Sequence, residues 1–187
     1  MKELSLYILD ITENSTRAGA SEIYLTLTQN GKDFSFSVKD NGCGMSEQTL
    51  KKITDPFYTT RTTRKVGLGI PFLRLAAELT GGHIEITSKS EEEYPDSHGT
   101  ITTAYFDASS IDFVPLGDMV STVVTLIQGN PGTDFVYTHT RDGKTVSLDT
   151  REIREVLSGV PLDNFEVISW IKESLTEQYN ETGILKM

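Results

Sequence analysis

A chain of 187 residues, 37% hydrophobic and 24% charged, is long enough to bury a core and has the make-up of an ordinary globular protein. Its net charge of −10 repels phosphodiester backbones and anionic membranes, which argues against nucleic acid and membrane surfaces as direct partners. Cys43 is the single cysteine, so an internal disulfide is excluded, and no apolar run approaches the roughly 20 residues of a membrane span. No basic stretch followed by an apolar one opens the sequence, and the default expectation is a cytoplasmic protein.

Leu4, Ile8, Ile11 and Ser15 recur at helical spacing and predict an amphipathic helix over 3–18, stopped at Gly19. Period-two alternation over 23–28 predicts a strand, Asn30-Gly31 a hairpin turn, and 34–38 the returning strand. Ser46 is an N-cap candidate for a short helix over 47–53. Residues 55–66 carry no period and read as a loop. A helix over 69–79 accommodates Pro71 in its first turn, where the missing N–H costs little. Two strands follow, at 83–87 and 100–106, joined by an acidic loop. The predicted boundary lies near 108–116. Beyond it come a helix at 117–128, a hairpin at 134–148 around Asp142-Gly143, and helices at 150–158 and 164–179. The expectation is an α+β protein: residues 1–107 form a layered sandwich with helices on one face of a mixed, mainly antiparallel sheet, and residues 108–187 form a small C-terminal α/β extension. Val120, Val123, Val124, Leu126, Ile127, Ile168, Trp170 and Ile171 are expected in the core of that extension.

Asp10 and Asn14 are four residues apart and share a helix face. An amide oxygen suits Mg2+, and a carboxylate one turn earlier can deprotonate an attacking water. The same pair also fits two solvent-facing polar residues. Asp40 ends a strand and enters a loop containing Gly42 and Gly44. A carboxylate there can accept from an adenine amino group while the glycines allow close backbone approach, although Asp-Asn-Gly is also an ordinary turn. Cys43 reads as a small packing residue. Gly67, Leu68 and Gly69 lead into a helix N-terminus, a natural phosphate site and equally a tight loop-to-helix turn. Arg61, Arg64 and Lys65 put three cations within five residues of an acidic chain, which suits a phosphate-covering lid or a solvated basic loop.

With these boxes in order, the sequence resembles the GHKL ATPases (gyrase, heat-shock chaperone, histidine kinase, MutL), whose shared fold is the Bergerat fold. Asp10, Glu13 and Asn14 resemble the first box, and Glu13-Asn14-Ser15 with Ala18-Gly19-Ala20 is close to MutL. Asp40, Gly42 and Gly44 match the second box. Asp55-Pro56-Phe57-Tyr58-Thr59-Thr60-Arg61 resembles the phenylalanine box of histidine kinases. Gly67, Leu68 and Gly69 match the next glycine box, and Gly99-Thr100 the last. The resemblance covers 1–107. It implies ATP and Mg2+ as cofactors, Asn14 as the metal ligand, Asp40 as the adenine reader with Thr100 as its helper, and 55–67 as an ATP lid holding Phe57, Arg61 and Lys65.

Asp10 stands where the family's hydrolases carry glutamate, a side chain one methylene longer, so hydrolysis is expected to be inefficient. No helical domain bearing an acceptor histidine precedes the nucleotide segment in this sequence. The leading expectation is therefore transfer of the γ-phosphate to an unidentified protein partner, in the manner of a regulatory kinase that resembles the anti-sigma factors or histidine kinases. An ATP-gated switch with slow hydrolysis and a non-catalytic nucleotide-sensing adaptor are the alternatives, and a homodimer is left open. His83, His98 and His139 each read as structural or surface residues.

Overall fold

A computed structural model describes residues 2–54 and 69–185. Helix α1 (Leu4–Arg17) buries Leu4, Tyr7, Ile8, Ile11 and Ser15 along one face and ends at Ala18, after which Gly19 takes a φ of +77°. Strands β1 (Glu22–Asn30) and β2 (Asp33–Asp40) form the expected hairpin, with Asn30 opposite Asp33. Helix α2 (Glu47–Thr54) starts where the Ser46 hydroxyl accepts from Thr49 N–H at 3.3 Å. Helix α3 (Gly69–Leu79) leads into β3 (His83–Lys89) and β4 (Gly99–Asp107). Then come α4 (Met119–Gly129), β5 (Asp134–Arg141), β6 (Lys144–Asp149), α5 (Thr150–Leu157) and α6 (Phe165–Thr182). Aspartates cap α4 and α5, and Asn164 caps α6, each accepting from a backbone N–H in the first turn.

The six strands make one sheet in the order β3-β4-β2-β1-β5-β6. Every neighbouring pair is antiparallel except β1 and β5, which run parallel from Glu22 opposite Asp134 to Gln29 opposite Arg141. This is the expected mixed, mainly antiparallel sheet. It continues across the 107/108 division, because β5 and β6 extend it beyond β1. The connection between β4 and α4 is also tied down. Leu4 and Ser5 N–H donate to the carbonyls of Pro115 and Leu116, and the Phe113 ring meets the edges of Phe34 and Phe106.

Strand alternation sends Ile23, Leu25 and Leu27, Phe34, Phe36 and Val38, and Phe135, Tyr137 and His139 to the same buried face. Helices α3, α1, α4 and α6 cover that face as a row of neighbours. The opposite face presents Thr26, Ser37 and Thr103 in register, partly open to solvent. Within the C-terminal part, Val123, Leu126, Ile127 and Ile171 are buried, and Val120, Val124 and Ile168 pack against the core. Trp170 departs from its expected place: it is 55% exposed, because the neighbouring Ile171 takes the inward position on α6. Three apolar residues of α3, Phe72, Leu75 and Leu79, also face outward. No helix among the described residues is long and apolar enough to cross a membrane.

Candidate nucleotide site

The α1 C-terminal turn, the β2 end and the β4 start converge on Asp40. This carboxylate is 7% exposed. Its Oδ1 accepts from Gly42 N–H at 2.9 Å and Thr100 N–H at 3.2 Å, and its Oδ2 accepts from the Ser15 hydroxyl at 2.6 Å. A carboxylate has about four acceptor positions, and the described residues fill three of them. Asn41 locks the loop to β1, its side-chain oxygen accepting from Ser21 and Glu22 N–H.

The glycines here are steric requirements. A Cβ on Gly42 would lie 2.9 Å from the Ala18 carbonyl oxygen, and one on Gly44 would lie 1.8 Å from the Lys89 carbonyl oxygen. Gly44 also takes a φ of +62°, a region most side chains avoid. Cys43 is exposed, which corrects the expectation of a packing residue: the loop turns its side chain outward while its N–H reaches back to the Ala18 carbonyl.

Asp10 and Asn14 are both half-buried on α1. Asp10 lies against the first residue of α3, since a Cβ on Gly69 would fall 1.9 Å from its Oδ2. Its carboxylate therefore abuts a helix N-terminus, the end of a helix that favours negative charge. Asn14 Oδ1 accepts from the Arg17 guanidinium at 3.1 Å, and Arg17 also binds Glu13 at 2.6 Å. The Thr100 hydroxyl is paired with the Ser88 hydroxyl at 2.8 Å, so Thr100 meets Asp40 through its backbone N–H.

The candidates thus fall in two groups along α1: Asp10 with Gly69 at the start of α3, and Asp40 with Gly42 and Thr100 beside the last turn, where Asn14 also lies. Phe57, Arg61, Lys65, Gly67 and Leu68, with the rest of the expected lid, lie outside the described residues. The sequence gives Arg17 and Ser88 no part in the site, and Ser15 none beyond its place in Glu13-Asn14-Ser15. Only Ser15 left a signal, as a polar residue on the buried face of α1. Among the described residues, no group of three or more His, Cys, Asp or Glu side chains gathers to hold a metal ion. The Asn14 amide oxygen is a hard, neutral donor of the kind that suits Mg2+.

The family described as histidine kinase-, DNA gyrase B- and HSP90-like ATPase matches residues 2–110. The chain belongs to this family. Among its curated relatives, a putative sensor protein of Shewanella frigidimarina is 45% identical over 53 residues, 28% of this chain and 8% of the relative. Sensor protein KdpD of Clostridium acetobutylicum is 32% identical over 89 residues, 44% of this chain and 10% of the relative. The chain therefore spans about a tenth of the length of these two relatives. The ADP-bound ATPase domain of Aquifex aeolicus MutL shares the fold, with a TM-score of 0.53 at 14% identity over 84% of this chain and 70% of that one. The GHKL resemblance and the Bergerat sandwich are thereby borne out for this chain.

Proposed function

We propose that this GHKL domain binds Mg-ATP at the Asp40 site and transfers the γ-phosphate to a partner protein. The observation that carries the reading is the buried Asp40 carboxylate, which accepts from the Ser15 hydroxyl and from Gly42 and Thr100 N–H. The kinase part draws support from a relative named as a sensor histidine kinase, YvrG of Bacillus subtilis, 31% identical over 90 residues. In this reading Asp40 accepts from the adenine amine and Gly42 and Gly44 let the ring approach. Asn14 supplies an amide oxygen to the Mg2+, released from Arg17, and Gly69 opens the helix that receives phosphate. Phe57, Arg61 and Lys65 are assigned to the lid, and Gly67 and Leu68 to the phosphate-binding turn, on sequence grounds alone. A bound Mg2+ would screen phosphate charge; the chain's own residues hold the base, orient the nucleotide and manage the proton. In the same reading Asp10 takes the proton from the partner's attacking group as the new phosphorus bond forms and the bond to the ADP oxygen breaks. Residues 108–187, joined to the same sheet, are assigned the role of completing the body and offering a surface to the partner.

An ATP-gated switch with slow hydrolysis is the second reading. The contact between Asp10 and Gly69 favours it, because it links the candidate base to the mouth of α3. The test follows γ-labelled ATP with Mg2+ and the purified protein, using Asn14→Ala as the blank, then repeats it with native extract. Label on a protein partner supports transfer. Free phosphate from the protein alone supports the switch. Intact ATP in both cases leaves only the nucleotide-sensing adaptor, and the transfer reading falls.

A further inference from the structure

The peptide linking Gly42 to Cys43 is held from two sides. Its N–H, on Cys43, donates to the Ala18 carbonyl at 2.9 Å. Its carbonyl, on Gly42, accepts from His98 Nδ1 at 2.6 Å. A carbonyl oxygen cannot donate, so Nδ1 must carry the proton. The next carbonyl, on Cys43, accepts from Glu91 N–H at 2.9 Å. The connection between β3 and β4 therefore grips the base loop twice, once through backbone and once through a side chain. Only the second grip depends on residue identity. Gly42 N–H in turn donates to Asp40 Oδ1, so the orientation of this residue is passed directly to the carboxylate.

We infer that His98 is a positioning residue for base recognition, holding the Gly42 carbonyl so that Asp40 keeps the orientation that selects adenine. The inference rests on reading Asp40 as the adenine acceptor. Glycine has the widest backbone freedom of any residue, so the two glycines flanking Cys43 leave this loop ordered only by its outside contacts. Without the His98 bond the Gly42–Cys43 peptide is held at one end only, and the carboxylate samples orientations in which an adenine amine and a guanine carbonyl are less sharply distinguished.

The test titrates the full chain with Mg-ATP and with Mg-GTP, comparing wild type, His98→Leu and His98→Asn. An asparagine amide nitrogen reaches about the position of Nδ1, whereas leucine fills the space without a donor. The expected result is that His98→Leu binds Mg-ATP about tenfold more weakly with Mg-GTP affinity little changed, and that His98→Asn restores most of the preference. Should His98→Leu fail to fold, His98→Gln, which carries its amide one bond farther out, replaces it. Unchanged selectivity in the loss variant overturns the role of His98, as does an equal weakening for both nucleotides that asparagine does not restore. Wild-type protein that binds no Mg-ATP removes the nucleotide reading, and the inference with it.

Discussion

The Ser15 hydroxyl and the Asp40 carboxylate, 25 residues apart in sequence, meet at 2.6 Å in the interior. The bond joins the last turn of α1 to the end of β2, so the two candidate nucleotide boxes are one mechanical unit. Ser15→Ala should remove a donor from a buried charged group and lower stability by about 2 kcal/mol. It should also weaken ATP binding, while Asp40→Asn should abolish it. Urea unfolding and nucleotide titration on the same samples separate the two effects. A Ser15→Ala protein with wild-type stability and wild-type affinity contradicts the coupling.

Gly44 and Gly31 provide a matched comparison. Both have positive φ, but a Cβ on Gly44 meets the Lys89 carbonyl at 1.8 Å, whereas one on Gly31 meets nothing within 4 Å. Gly31→Ala should cost about 1 kcal/mol, the conformational term alone. Gly44→Ala should cost about 3 kcal/mol or more, because a backbone carbonyl must move. The difference in urea midpoints at constant m-value reads this directly; equal midpoints would mean the loop gives way freely.

Gly69→Ala pushes on a side chain rather than on backbone, since the nearest atom is Asp10 Oδ2 at 1.9 Å. Folding should tolerate this and turnover should not. Displacing a reacting group by about 1 Å costs roughly 100-fold in rate. In an Asp10→Ala background the same substitution should add almost nothing, because the group it displaces is gone. Additive losses in the double variant count against Asp10 as the affected group.

His139 accounts for an acid sensitivity remote from the nucleotide site. It is buried beneath α6, with Nδ1 at 2.9 Å from the Tyr179 hydroxyl, which in turn pairs with Tyr137. Burial, aided by the charge of Arg141, pushes it down to about 4 from the usual 6.5. The unfolded chain therefore binds a proton between pH 6.5 and 4 that the folded chain refuses. The stability tied to the neutral ring is fully present above pH 6.5 and is lost as pH falls towards 4, by up to roughly 3 kcal/mol. Thermal midpoints of wild type and His139→Gln should converge across that window, with wild type falling more steeply. Parallel curves would mean that the folded ring takes up its proton as readily as the unfolded one.

Ending the chain at 107 should yield aggregate rather than a working nucleotide domain. The cut bares the β1 backbone along the whole run from Glu22 to Gln29 and uncovers the side of α1 that α4 packs against. Size-exclusion chromatography decides it. A monomeric 1–107 fragment that binds ATP would make residues 108–187 a separable module.

Local signals were enough for most of the elements. Asn30-Gly31 and Asp142-Gly143 marked both tight hairpins, and the apolar spacing of Leu4, Ile8 and Ile11 marked α1. The parallel pairing of β1 with β5 was not legible, because its partners are over a hundred residues apart and neither strand advertises its neighbour. In the candidate site, the order of the boxes is what picks out Asp10, Asn14, Asp40 and the glycines. The contacts of Ser15, Arg17, Ser88 and His98 are not legible in that order, since each depends on which group folding brings opposite a common polar side chain. Trp170 was misplaced for a related reason: adjacent apolar residues on a helix compete for one inward position, and Ile171 occupies it.

The β1–β5 ladder also bears on synthesis. During translation β1 and β2 can form their hairpin early, but the second neighbour of β1 emerges only after more than a hundred further residues. Until then the nascent chain carries an unpaired edge with Ile23, Leu25 and Leu27 beside it, an invitation to other nascent chains. High sequence separation slows closure as well. The late arrival of β5 makes the yield of folded protein sensitive to translation rate and chaperone supply in a way that the equilibrium stability of the finished sheet does not reveal.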